Sequence, residues 1–144
     1  MKSTMAYEAK QALFDELKVR AGAGMELDGV QVAYSYPSRD RERVVVYGGG
    51  VRFRHEDLAE EVNAVGYQII SVGIYIRALQ PQGTVRTADL EVEEIADVIV
   101  KIFRDKPQLV GNMTWLGVEQ GSADYPETPD GPESVLSLQV RIGA

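Results

Sequence analysis

The sequence predicts an α+β domain: an antiparallel or mixed β-sheet with two helices on one face, in the order α-β-β-β-α-β-β, and a long hairpin joining the second and third strands. Three observations predict it. In residues 67–79, Gln68, Ile70, Val72, Ile74, Ile76 and Ala78 fall on one side, all but the first apolar. The other side, Tyr67, Ile69, Ser71, Gly73, Tyr75, Arg77 and Leu79, is mixed, which marks a strand with one face on a core. Beyond a turn at Pro81 and Gly83, Val92, Ile95, Ala96, Ile99, Ile102 and Phe103 recur at spacings of three and four. Glu91, Glu93, Glu94, Asp97, Lys101 and Arg104 fall elsewhere on that circumference, the pattern of a helix lying on a sheet. Near the end, Leu136, Leu138, Val140 and Ile142 alternate as the buried face of a last strand.

Taken in order, a first helix is expected from residue 3 or 4 to about 21. Ala6, Ala9, Leu13, Leu17 and Arg20 share a stripe with Phe14 beside it, Lys10, Asp15, Glu16 and Lys18 face water, and Gly22 and Gly24 supply the stop. A first strand follows over 30–36, ended by Pro37, and a charged turn leads to a second strand over 43–47. Gly48, Gly49 and Gly50 then read as a bulge or bend, because Val51, Phe53 and His55 alternate with Arg52, Arg54 and Glu56 as resumed strand. Residues 57–64 carry the acidic tip of the hairpin. The third strand alone would span roughly 40 Å at about 3.3 Å per residue, more than twice an average strand of about six residues. An arm of that length is expected to overshoot its own domain and meet another subunit.

The second helix is capped by Thr84 or Thr87, carries acids in its first half and bases at its end, and stops at Pro107. A short strand over 113–118 holds Trp115. Residues 119–133, with five acids, three prolines and no base, read as a long solvated loop, and the last strand covers 135–142. Helices at both ends of a three-strand meander, then a final hairpin, make one domain over residues 1–144.

Composition closes several routes. No cysteine means no disulfide, thiolate nucleophile or cysteine-based metal site, and one histidine leaves no multi-histidine zinc centre. The formal charge of −7 opposes general nucleic-acid binding, which needs a basic surface. No apolar run approaches the length that spans a bilayer, and the N-terminal residues lack the apolar centre of a signal peptide, so synthesis in the cytoplasm and no membrane partner are expected.

The remaining candidates are weighed on geometry. His55 with Glu56 and Asp57 invites an acid–base reading, as a small enzyme or ligand-binding domain, but successive residues of an extended chain point to opposite sides and no nucleophile motif accompanies them. The glycines at 48–50 match no phosphate-binding fingerprint. Arg39, Arg41, Arg43, Arg52 and Arg54 are the one basic concentration; Asp40 and Glu42 interleave with them, which favours an acidic neighbour, a second copy included, over nucleic acid. No catalytic, cofactor or metal residue is assigned.

The ordered segments together resemble a family. They are Ala12-Leu13-Phe14 in the opening helix, Val30-Gln31-Val32-Ala33-Tyr34, and Glu42-Arg43-Val44-Val45-Val46-Tyr47-Gly48-Gly49 with Val51-Arg52-Phe53. Val72-Gly73-Ile74-Tyr75-Ile76-Arg77, Ala88-Asp89 with Val92-Glu93-Glu94-Ile95-Ala96, Ala123-Asp124-Tyr125 and Ser134-Val135-Leu136-Ser137-Leu138-Gln139-Val140-Arg141 continue the set. Over nearly its whole length the chain resembles the tail terminator (tail completion) proteins of long, non-contractile-tailed bacteriophages (siphophages), in the form common among actinobacteriophages.

The resemblance implies a non-enzymatic virion protein at the tail–head junction, made in the bacterial host cytoplasm. It implies a homohexameric ring on the last ring of the tail tube that stops tube growth and supplies the surface for head–tail joining. Its partners would be itself, the major tail tube protein and a head-completion or connector protein, with DNA passing through without specific binding and no cofactor. Another head–tail connector or neck protein is the nearest alternative. No residue-level motif of the family carries the contacts, so they are expected from geometry. Arg52, Phe53, Arg54, Tyr75 and Arg77 would meet a neighbouring subunit or the tube; Asp124, Tyr125, Glu127, Asp130 and Glu133 would form an axial or ordering loop; Glu93, Glu94 and Asp97 would face the lumen.

Overall fold

A computed structural model of the chain describes residues 4–37, 41–56, 67–126 and 128–144, with Glu56 and Tyr67 described by backbone alone. The elements are α1 (Ala6–Arg20), β1 (Gln31–Ala33), β2 (Val44–Glu56), β3 (Tyr67–Leu79), α2 (Val85–Asp105), β4 (Thr114–Asp124) and β5 (Glu133–Gly143), in the expected order. They build one five-stranded mixed sheet in the order β1-β2-β3-β5-β4. The expected hairpin tip, 57–64, lies outside the described residues.

Register explains the core. Ile70, Val72, Ile74 and Ile76 of β3 stand opposite Phe53, Val51, Gly48 and Val46 of β2, and opposite Ile142, Val140, Leu138 and Leu136 of β5. This face receives Leu13, Phe14 and Leu17 of α1 and Val92, Ile99 and Phe103 of α2, so both helices cover the same side of the sheet. Phe103 stacks on Trp115 at 4.7 Å, pinning the end of α2 to β4. Thr84 and Thr87 both serve the start of α2: each hydroxyl accepts from the other's backbone N–H, at 3.2 and 2.8 Å, a reciprocal cap.

Five expectations are corrected. β1 is short and runs parallel to β2, pairing Gln31 with Val45 and Ala33 with Tyr47, so the first three strands are no meander. β3 does not overshoot its domain: it is bonded to β2 on one side and to β5 on the other, from Ile69 opposite Gly143 to Leu79 opposite Glu133. Its length is used within the chain because the closing strand inserts beside it. β4 continues to Asp124, so the solvated connection shrinks to 125–132. Bulges between Trp115 and Gly117 and between Val118 and Gln120 break the alternation that would have revealed its second half.

Glu133, placed in that loop by the sequence, opens β5 and is buried. Lys10, expected in water, is also buried: its ammonium lies 4.1 Å from the centre of the Tyr34 ring, and burial lowers its pKa. The expected bulge at the glycines is present as a register shift between Gly48 and Val51. Gly48 is needed for a further reason. A Cβ there would run into the Tyr34 carbonyl oxygen, just past the end of β1, and the Lys10 stem of α1, which both pack against β2 at that point.

Candidate functional site: the open face of the sheet

The second face of the sheet carries no helix among the described residues, and it divides into three zones. At the end where β3 finishes, Tyr47 stacks on Tyr75 at 5.1 Å, and Tyr36 meets Tyr47 edge-on at 5.1 Å. The Arg77 guanidinium lies 5.5 Å from the Tyr36 ring centre. Arg77 Nε donates to Glu133 at 2.5 Å, and Arg41 reaches the same carboxylate at 3.6 Å while donating to the Tyr36 hydroxyl at 3.1 Å. Charge in this zone is answered from within the chain. Tyr36 comes from the connection after β1, Tyr47 from β2 and Tyr75 from β3, so the cluster depends on contacts far apart in sequence.

The middle is small and polar. Gly73 stands opposite Gln139, Tyr75 opposite Ser137, and Ser122 exchanges a hydrogen bond of 2.8 Å with Ser137. Gly49 lies under the Tyr75 ring, whose atoms would collide with any Cβ there.

The third zone is a groove of about 260 Å³ lined by Arg52, Phe53, Arg54, Ile69, Ser71, Glu119 and Arg141. Pairing builds it. Arg52 stands opposite Ser71, Ser71 opposite Arg141, and Arg141 opposite Gly117, so the two arginines flank a serine across three strands. At about 4.8 Å per strand their backbones lie roughly 10 Å apart. Gly117, at φ +129°, brings no side chain over Arg141. Ser71 Oγ donates weakly to Glu119 at 3.4 Å. The Arg141 Nε is buried and has no hydrogen-bond partner among the described residues. A buried guanidinium nitrogen without an acceptor is costly, and a carboxylate seated above the groove would satisfy it.

Of the expected interface residues, the structure therefore joins Arg52 and Arg54, and it adds Arg141 and Glu119. Phe53 points to the helix side of β2, 46% exposed, its ring edge-on to His55 at 5.8 Å. Tyr75 and Arg77 share the open face but belong to the far, ion-paired zone. Alternation alone placed Arg141 opposite in direction to Val140 and Ile142; that it neighbours Arg52 required the strand order.

The acidic loop is divided. Asp124 ends β4, Glu127 lies outside the described residues, and Asp130 is exposed. Tyr125 donates its hydroxyl to Asp89 on α2 at 3.2 Å, and that carboxylate pushes the Tyr125 pKa up. Ser134 donates to the other Asp89 oxygen at 2.7 Å, so the base of the connection is tied to α2. Glu93, Glu94 and Asp97 are exposed on α2, on the side of the sheet away from the groove. Among the described residues no group of three or more His, Cys, Asp or Glu side chains is placed to hold a metal ion, and no helix is long and apolar enough to cross a membrane.

No family model matches the chain, and no curated protein does. Among solved structures, a chain from the virion of a native gene transfer agent particle is similar at 16% identity, with a TM-score of 0.61 over 99% of this chain and 100% of that one. At that identity the likeness establishes a shared fold, from end to end of both chains.

Proposed function

We propose that this chain is a structural assembly protein of a tailed phage or phage-like virion, and within that class a tail terminator. It forms a ring, a hexamer on this reading, that caps the tail tube, stops its polymerisation and presents a surface to the head-completion protein. The observation that carries the reading is the full-length fold match to a chain of a virion particle, with neither chain leaving an unmatched domain. The ordered resemblance of the sequence to tail terminators supports the finer assignment.

The geometry supports a role in assembly rather than chemistry. The most distinctive surface is a sheet face that carries no helix among the described residues, with one aromatic zone, one flat polar zone and one arginine groove, all suited to protein contact. The exposed acids Glu93, Glu94 and Asp97 suit a lumen through which DNA slides without sticking, since like charges repel.

The test is to mix purified protein with polymerising tail tubes and image them in negative stain. Capped tubes of uniform length are expected. Tubes that grow uncapped while the protein decorates only heads would replace the terminator assignment with a connector.

A further inference from the structure

We infer that the arginine groove on the open face receives the acidic β4–β5 connection of a second copy of this chain. The inference rests on the ring reading above and supplies its subunit contact.

Charge makes the match. Among the described residues that line it, the groove has three cations, Arg52, Arg54 and Arg141, and one acid, Glu119, on a chain whose net charge is −7. From the end of β4 through the connection, residues 124–132 hold three acids and no base, and of these Asp124 and Asp130 are exposed. The Arg141 Nε, without an acceptor among the described residues, offers the groove a donor for a carboxylate oxygen.

Geometry makes the contact intermolecular. Arg141 lies near the end of β5 and the acidic connection precedes its start at Glu133, so the two are separated by most of that strand. At about 3.3 Å per residue this is roughly 25 Å. The connection is also held on the helix side by Tyr125 bonding to Asp89 and by the Gln80 backbone N–H bonding to the Pro132 carbonyl at 2.8 Å. It cannot fold into its own groove. Complementary patches at opposite ends of one sheet give a head-to-tail contact, the class that closes into rings when the rotation allows. A ring engages every such contact together, so each pair can be weak by itself.

The chain contains no cysteine, which makes directed cross-linking clean. In the full chain, Ser71→Cys with Thr128→Cys places one thiol in the groove and one in the connection, too far apart to join within a subunit. Oxidation at low salt is expected to yield a ladder of cross-linked chains, suppressed at high salt. Adding Arg52→Glu and Arg54→Glu is expected to slow it by about tenfold or more. Mixing that variant with one carrying Asp124→Lys and Asp130→Lys, each with the same two thiols, is expected to restore it.

Monomer alone after oxidation, or a ladder indifferent to the charge reversal, overturns the inference. Tubes capped by a protein that gives no ladder would sink this contact and leave the terminator reading. A ladder from a protein that leaves tubes uncapped would do the reverse.

Discussion

Arg77 on β3 donates to Glu133 at the first position of β5, and the Glu133 side chain is only 2% exposed. The pair joins two neighbouring strands beneath Tyr36, and Arg41 adds a second cation to the same carboxylate. Burial alone would lower the Arg77 pKa, but the hydrogen bonds to Glu133 and Tyr47 outweigh it and the net direction is up. Glu133→Ala would leave two guanidinium groups without their acceptor. It is expected to cost roughly 2–3 kcal/mol in urea unfolding, while Glu133→Gln, which keeps an acceptor, costs about 1 kcal/mol. Equal losses in both variants would mean that packing, not the charge pair, holds this corner.

The adjacent glycines of β2 make a sharper comparison. Gly48 sits against the Tyr34 carbonyl and Lys10, whereas nothing lies within 4 Å of a Cβ at Gly50. Gly48→Ala must push the Lys10 and Phe14 side chains of α1 and the Tyr34 backbone away from β2, and overpacking of this kind costs about 1–3 kcal/mol. Gly50→Ala is expected to stay within about 0.5 kcal/mol of the parent. Thermal unfolding of the two variants side by side checks the difference. If Gly50→Ala proved the more damaging, the glycines would serve strand bending and not the close approach of α1.

How much of this was legible in the sequence depends on the range of the interaction involved. The alternation of residues 68–78 and the helical spacing from Val92 to Phe103 are local, and both survive unchanged in β3 and α2. The double-threonine cap of α2 was equally local. The parallel pairing of β1, the insertion of β5 beside β3 and the reach of β4 to Asp124 were hidden, because strand order is set by contacts far apart in sequence and two bulges scramble the β4 pattern. The candidate site divides the same way. Arg52 and Arg54 are apparent as alternating bases, but Arg141 joins them only through the pairing of β3 with β5. Lys10 and Glu133 were misplaced because charge predicts exposure, and only the tertiary fold supplies Tyr34 to one and Arg77 to the other.

Trp115 is the sole tryptophan, 7% exposed and stacked on Phe103 at an interplanar angle of 14°. Its fluorescence therefore reports the docking of α2 on β4. Phe103→Ala removes a fully buried ring and is expected to destabilise the fold by roughly 3–5 kcal/mol. It should also red-shift the emission under native conditions as water reaches the indole. Native-like emission in a destabilised variant would show that β4 shields Trp115 without the helix.

The last prediction concerns acid. Glu91 on α2 accepts from Arg43 through both oxygens, at 2.5 and 2.8 Å, and from Gln80 at 2.7 Å. The Arg43 hydrogen bonds hold its pKa below the ordinary carboxylate value of 4.5. A group whose pKa is depressed by folding stabilises the native state above its unfolded pKa and loses that contribution as pH falls through the folded one. Both side chains keep solvent contact, at 45% and 25% exposure, so screening limits the pair to about 0.5–1 kcal/mol near neutral pH. Glu91→Gln should therefore unfold at lower urea than the parent at neutral pH, with the gap closing as pH drops below about 4.5. A gap that stays constant through that range would assign the loss to the Gln80 bond or to packing, and the ion pair would carry none of it.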